Sequence, residues 1–256
     1  MNDGRSPVLE VLDLEKQYGG VRAMDGVSFD VDRGSITGLI GPNGAGKSTA
    51  LAVIGGFVRP TGGRIRFDGV DITRQPMHIR ARHGLVRTFQ MARVFGSLTT
   101  IENLLVAAPS QRGESFAGIV IGRRSWRSQE RELIQTAREL LDTFGMTDKA
   151  DEPARNLSGG QKRAVEIMRA LMMKPKLLLL DEPMAGLSPS LSRQLEDVLL
   201  KLAQDGLSLL LVEHELDTID RLCGKVVVMA QGKVLSEGRM SELRVNREVQ
   251  DAYVIG

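Results

Sequence analysis

Three short stretches of this sequence carry residue types that do phosphate chemistry. Gly41-Pro42-Asn43-Gly44-Ala45-Gly46-Lys47-Ser48, followed by Thr49, fits the pattern G-x-x-x-x-G-K-[ST]. Its glycines let the backbone curl until the N–H groups converge on a β-phosphate, and the start of the helix that follows adds positive potential. Lys47 then reaches the β- and γ-phosphates, and the Ser48 hydroxyl can ligate Mg²⁺. Lys176-Leu177-Leu178-Leu179-Leu180 is an apolar run closed by Asp181 and Glu182. Alone, such an acid pair reads as a solvated strand end. Beside a phosphate loop, Asp181 is placed to hold Mg²⁺ directly or through water, and Glu182 to polarise the attacking water as a general base. Leu157-Ser158-Gly159-Gly160-Gln161 brings a hydroxyl, glycine amides and a helix start together, which is both a second anion-binding device and an ordinary capped helix start.

The elements that must hold these residues follow from periodicity. Ser35–Ile40 is a short apolar run ahead of the loop, and Lys47–Ile54 has helical spacing, so the loop joins a strand to a helix. Val27–Val31 and Arg64–Phe67 alternate, which makes the first part strand-rich. From Thr99 to Met173 the apolar residues fall at helical intervals, interrupted by Pro109–Ser128, a Gly-, Ser- and Arg-rich stretch with the only Trp, Trp126, expected to form a loop. Beyond Pro175 the apolar runs Lys176–Leu180, Ser208–Val212 and Lys225–Met229 alternate with helical stretches at Pro189–Gln204 and Glu215–Leu222, which predicts a parallel sheet covered on both faces. Gln231-Gly232 predicts a hairpin between Val226–Met229 and Lys233–Ser236, and the tail Met240–Gly256 reads as a helix and a short end.

Composition removes several classes. With 256 residues, 42% hydrophobic and 26% charged, the chain has the makeup of an ordinary globular protein rather than a disordered or fibrous one. Lys plus Arg number 34 against 32 Asp plus Glu, a balance of +2 that leaves no nucleic-acid footprint. Cys223 is the single cysteine, so no intrachain disulfide forms and no zinc site is built from thiolates, which suits a reducing cytosol. Met1–Leu12 lacks the basic-then-apolar order of a secretory signal, and runs such as Leu207–Val212 fall far short of the roughly 20 residues that cross a bilayer. Membrane association is therefore expected to go through a partner.

The pentapeptide Leu157–Gln161, in order with the phosphate loop and the acidic strand, resembles the signature of the ABC ATPases, and the resemblance extends over nearly the whole chain. It implies an α/β fold: a P-loop NTPase (RecA-like) parallel sheet core with an N-terminal antiparallel β subdomain over residues 1–90 and 174–256, and an inserted α-helical subdomain over 91–173 bearing the signature. It implies ATP as the nucleotide and Mg²⁺ as the metal, with Lys47, Gln90, Glu182 and His214 catalytic. Tyr18 matches the aromatic that stacks on adenine. Gln90, in Arg87-Thr88-Phe89-Gln90, matches the glutamine that touches Mg²⁺ and the water, and His214 matches the switch histidine that meets the γ-phosphate. Ser48, Gln90 and Asp181 form the implied metal set. Ala185-Gly186-Leu187-Ser188-Pro189 departs from the family, because Ser188 stands where an aspartate is common in a turn that crosses the dimer interface.

The resemblance further implies a head-to-tail dimer in which Ser158, Gly159, Gly160 and Gln161 of one chain close on the nucleotide held by the other. That second chain is either another copy or a sister ATPase. An integral membrane permease is the implied partner, contacted through Gln90, Met91, Arg93, Val94, Phe95 and Leu98; the alternative for Phe95 and Leu98 is simple core packing. A substrate-binding protein enters only indirectly, and the implied location is peripheral, at the cytoplasmic face of the inner membrane. Val86–Gln90, Leu98–Ala107, Pro183–Pro189 and Val212–Glu215 look most like the ATPases of branched-chain and hydrophobic amino acid importers. ATPases of urea or amide importers and of lipopolysaccharide exporters look similar, and a non-transport ABC ATPase is the remaining alternative.

Overall fold

The computed structural model describes residues 6–88, 94–108 and 123–255. Gln90, Met91 and Arg93 lie outside the described residues, as does most of the expected Pro109–Ser128 loop. The end of that stretch departs from the expectation, because a helix, Arg123–Thr143, is already under way by Ser128. The chain divides into two compact units: Met1–Gln90, Lys176–Ala185 and Leu199–Gly256 form one, and Met91–Pro175 with Gly186–Val198 form the other.

In the first unit, strands β1 (Leu9–Tyr18), β2 (Val21–Val31), β4 (Gly62–Phe67) and β5 (Val70–Asp71) form an antiparallel sheet in the order β2-β1-β4-β5. The second sheet holds β3 (Ile36–Ile40), β6 (Leu85–Arg87), β7 (Leu177–Asp181), β8 (Ser208–Val212), β9 (Lys225–Ala230) and β10 (Lys233–Gly238), in the order β10-β9-β3-β8-β7-β6. Five of its strands run parallel, and β10 joins antiparallel through the expected hairpin, with Gln231 at φ +49° and Gly232 at φ +78°. Two consecutive positive φ values match the right-handed twist of the flanking strands, which is why the Gln-Gly pair serves as the turn.

β3, β7 and β8 are buried along their whole length. Continuous apolar runs form central parallel strands because both faces are removed from water, each Leu or Val contributing roughly 1.5–3 kcal/mol. Leu39, Leu177, Leu179, Leu210 and Val212 join Leu9, Leu14, Phe29 and Phe67 of the antiparallel sheet in one core. Helix α1 (Lys47–Ile54) follows β3 and adds Leu51 and Ile54 to that core. Helix α2 (Met77–His83) precedes β6. The tail forms two helices, Met240–Leu243 and Arg247–Ile255, where one was expected.

The second unit is helical. Helix α3 (Thr100–Val106), α4 (Arg123–Thr143) and α5 (Gly159–Leu171) gather around Leu104, Ala137, Leu141, Met146, Leu157, Val165 and Met168. Helix α6 (Pro189–Gln204) begins in this unit and ends in the first. Among the described residues no helix is long and apolar enough to cross a membrane.

Candidate functional site

Register brings together the residues of the first unit that are expected to do phosphate chemistry. Leu39 of β3 lies opposite Val212 of β8, and Val212 lies opposite Asp181 of β7. The three strands run parallel, so the residues just beyond this row all leave the same edge of the sheet: Gly41, Glu182, and Glu213 with His214. Ligands of open parallel sheets bind outside such carboxyl ends.

The loop after β3 has a shape that only glycine permits at two points. Gly41 has φ +148°, and a Cβ there would fall 2.0 Å from the Met229 carbonyl oxygen. Gly46, at φ +102°, would bring a Cβ to 2.5 Å from the Ala23 carbonyl oxygen. Both carbonyls belong to backbone that cannot yield, so any side chain would push the loop off its strands. Gly46 then serves as the left-handed N-cap of α1, with Lys47, Ser48 and Thr49 in its first turn. Lys47 is buried, and its Nζ donates to the Gly41 and Pro42 carbonyls at 2.7 and 2.9 Å. Burial lowers its pKa, while the carboxylates of Glu182 and Asp181 push it back up. Those two acids therefore act on the same ammonium.

Asp181 is 1% exposed, and its Oδ2 accepts from Arg87 Nη2 at 3.0 Å. Arg87 is the last residue of β6, whose register sets it opposite Leu179, two residues before Asp181 on the same face. Its guanidinium also lies 5.4 Å from the Phe57 ring centre. Glu182 adopts φ +48°, a left-handed conformation unusual for a residue with a side chain. Its Oε1 lies 2.8 Å from His214 Nε2, so the expected general base and the expected switch histidine are hydrogen-bonded to each other.

Tyr18, at the end of β1, is 47% exposed with Lys16 Nζ 4.8 Å from its ring centre. It pairs with Val21, two residues before the Ala23 that abuts Gly46, so β2 links the aromatic to the phosphate loop. Gln90 lies outside the described residues.

In the second unit, Ser158 caps α5. Its hydroxyl accepts from the Gln161 amide at 3.3 Å, and Gln161 Oε1 accepts from the Ser158 amide at 2.9 Å. The capped helix start is thus present, and accepting a bond leaves the serine O–H proton free to donate. A side chain at Gly159 would meet nothing within 4 Å, whereas one at Gly160 would meet Leu191 Cδ1 at 2.9 Å. Ser188 acts locally, its hydroxyl accepting from the Leu191 amide at 3.4 Å and so capping α6 just ahead of Pro189. Serine and aspartate are about equal as N-caps, so the exchange keeps the helix start and drops the charge.

Residues 24–185 match the ABC transporter family. The chain belongs to that family. This ABC protein is 39% identical over 247 residues to the probable branched-chain amino acid transport ATP-binding protein LivG of Archaeoglobus fulgidus, covering 96% of this chain and 95% of that one. It is 39% identical over 249 residues to the high-affinity branched-chain amino acid transport ATP-binding protein BraF of Pseudomonas aeruginosa, covering 97% and 98%. Among solved structures, the ADP conformation of MJ1267, an ATP-binding cassette of an ABC transporter, superposes with a TM-score of 0.83 at 34% identity over 97% of this chain and 99% of that one. A nucleotide-free ATP-binding cassette from an ABC transporter gives a TM-score of 0.79 at 35% identity, covering 96% and 95%. The fold is thus the α/β P-loop NTPase fold that the sequence resemblance implies.

Two residues of this ABC protein, the part-buried Arg87 and the buried Glu213, have no role assigned by the motifs of the sequence reading. Arg87 and Glu213 stand there only as parts of longer similar stretches, and the groups they bind are 94 and 29 residues away. Glu213 is 5% exposed and accepts the Met184 amide at 2.8 Å and the His214 amide at 3.3 Å. Burial pushes its carboxyl pKa up, the two amides pull it down, and the charges of Glu182 and Glu215 push it up again. For Glu213 the detectable signal is a carboxylate directly after the apolar run Leu209–Val212, where burial demands partners.

Proposed function

We propose that this chain is the ATP-hydrolysing subunit of a membrane importer for branched-chain or other hydrophobic amino acids. The observation that carries the reading is the convergence of Lys47, Asp181, Glu182 and His214 at one sheet edge, with Glu182 and His214 2.8 Å apart. In this reading Gly41–Thr49 cradle the β-phosphate through backbone N–H groups, and Tyr18 stacks on adenine. An ammonium has three donors; two of Lys47's go to the loop carbonyls, leaving one for a phosphate oxygen. Glu182 accepts the proton of the water that attacks the γ-phosphorus. The bond from that phosphorus to the β–γ bridging oxygen breaks, giving ADP and phosphate. His214 holds the Glu182 carboxylate in place and meets the γ-phosphate.

A hydroxyl at Ser48 and a carboxylate at Asp181 are hard oxygen donors, and one carboxylate beside substrate phosphates is the set Mg²⁺ favours. The residues therefore fit that ion, with Gln90 as the third expected ligand. When bound, Mg²⁺ neutralises charge on the phosphates. Arg87 holds Asp181 at the end of β7.

Two chains complete the cycle. Ser158, Gly159, Gly160 and Gln161 of one chain close on the nucleotide of the other, either a second copy or a sister ATPase, and loss of the γ-phosphate contact lets them part. The helical unit, taken as the inserted subdomain, offers Phe95 to the permease. That ring is 47% exposed and lies 4.8 Å from the Arg169 guanidinium, so it does not pack as core. Asn103 fixes its backbone, accepting the Phe95 amide at 2.8 Å and donating to the Phe95 carbonyl at 3.0 Å. The permease keeps the chain at the cytoplasmic face of the membrane, and a substrate-binding protein delivers cargo to that permease.

Glu182→Gln tests this reading. It is expected to bind ATP normally and to lose at least ~100-fold in steady-state hydrolysis. Hydrolysis at the parental rate would remove Glu182 from the role of base.

A further inference from the structure

Resting on the hydrolysis reading above, we infer that Glu213 is a positioning residue that sets the distance between Glu182 and His214 by binding the backbone on both sides of that pair. Glu182 and His214 sit on separate turns, one following β7 and the other β8. Nothing in the strand register reaches beyond Asp181 and Val212, the last pair of the ladder. Past that point individual hydrogen bonds hold the two turns. The Glu182 amide donates to the Val212 carbonyl at 2.9 Å, and the Ala185 amide closes a turn onto the Glu182 carbonyl at 3.2 Å. Glu213 supplies a further tie. One oxygen takes the Met184 amide, two residues after Glu182, and the other takes the amide of His214 itself.

This arrangement needs a carboxylate. Two N–H groups approach two different oxygens, so both must be acceptors. An amide at the same position has one oxygen and one NH₂, and the NH₂ would face an N–H. The turn it holds is also one that resists its own geometry, since Glu182 occupies φ +48°. A buried, doubly bonded carboxylate is a rigid strut for such a turn, and general-base catalysis is sensitive to displacements well under 1 Å.

The test is a double-mutant cycle on steady-state ATP hydrolysis by the full-length chain, supplemented with its sister ATPase if turnover needs one. Glu213→Gln is expected to lower kcat about tenfold and leave KM for ATP within about twofold. In a His214→Ala background the same change should lower the residual rate less than about twofold, because the geometry it maintains is already gone. A kcat within about twofold of the parent would overturn the inference. So would an equal loss in both backgrounds, which is the mark of a residue that merely supports the fold, or a rise in KM that accounts for the lost kcat/KM. Should the glutamine variant fail to fold, amide exchange in the unsubstituted protein reads the same strut. Slow exchange at both Met184 and His214 supports it, and fast exchange at either overturns it. The hydrolysis reading is judged separately by Glu182→Gln, so an inactive Glu182→Gln beside a fully active Glu213→Gln rejects this inference alone.

Discussion

Cys223 lies against β3, where a side chain added at Gly38 would meet its Sγ at 3.0 Å. Burial pushes its thiol from an ordinary 9.0 up to about 12. Between those values the unfolded chain has lost the proton and the folded chain has kept it, so rising pH favours unfolding. The stability difference between the parent and Cys223→Ala should therefore shift against the parent by about 1.4 kcal/mol per pH unit above pH 9. Denaturant titrations at several alkaline pH values measure it, and a constant difference would show that the thiol ionises freely in the fold. At this scale the sequence is partly legible. Lys47 stands in a contiguous motif whose spacing implies its chemistry, and Asp181 and Glu182 gain theirs from sharing a chain with that motif. The partners of Asp181 and Glu182 are not so marked, because Arg87 and His214 reach them from positions 94 and 32 residues away, and only the sheet brings them near.

At the scale of elements, α1 owes its stability to more than the phosphate loop at its start. Arg80 of α2 is 1% exposed, and its guanidinium donates to the Val53 and Ile54 carbonyls at 2.8 and 2.6 Å, and to those of Gln75 and Thr73. A cation at the last carbonyls of a helix complements its dipole. Burial lowers the guanidinium to about 10, so it stays charged at neutral pH. Arg80→Leu removes a donor from four carbonyls, of which that of Val53 keeps a second donor, the Gly56 amide at 3.1 Å, and should destabilise the protein by about 3 kcal/mol in chemical denaturation. A loss below about 1 kcal/mol would mean that water replaces the guanidinium there. Long buried strands and helices are readable from periodicity, and other elements are not. β1 loses its alternation at a bulge between Val11 and Leu14, where Asp13 takes φ +46°, and β6 is three residues long. Neither offers a period to detect.

The residues proposed to meet phosphate are divided between the two units: Lys47, Asp181, Glu182 and His214 belong to one, and Ser158–Gln161 to the other. The proposed division of labour makes ATP the bridge between the loop of one chain and the signature helix of a second. In that reading permease coupling follows from how the bridge forms and breaks, and transport direction and the choice of cargo do not. None of them is written in the residues that meet the nucleotide, which is why the motifs reveal hydrolysis more plainly than import. Sedimentation of the Glu182→Gln variant, alone and mixed with any sister ATPase, tests the bridge most directly, because the variant is expected to hold ATP without consuming it. The expected outcome is a two-chain species with saturating ATP and Mg²⁺, and single chains with ADP or no nucleotide. Single chains throughout, in protein that demonstrably binds ATP, would contradict the bridge.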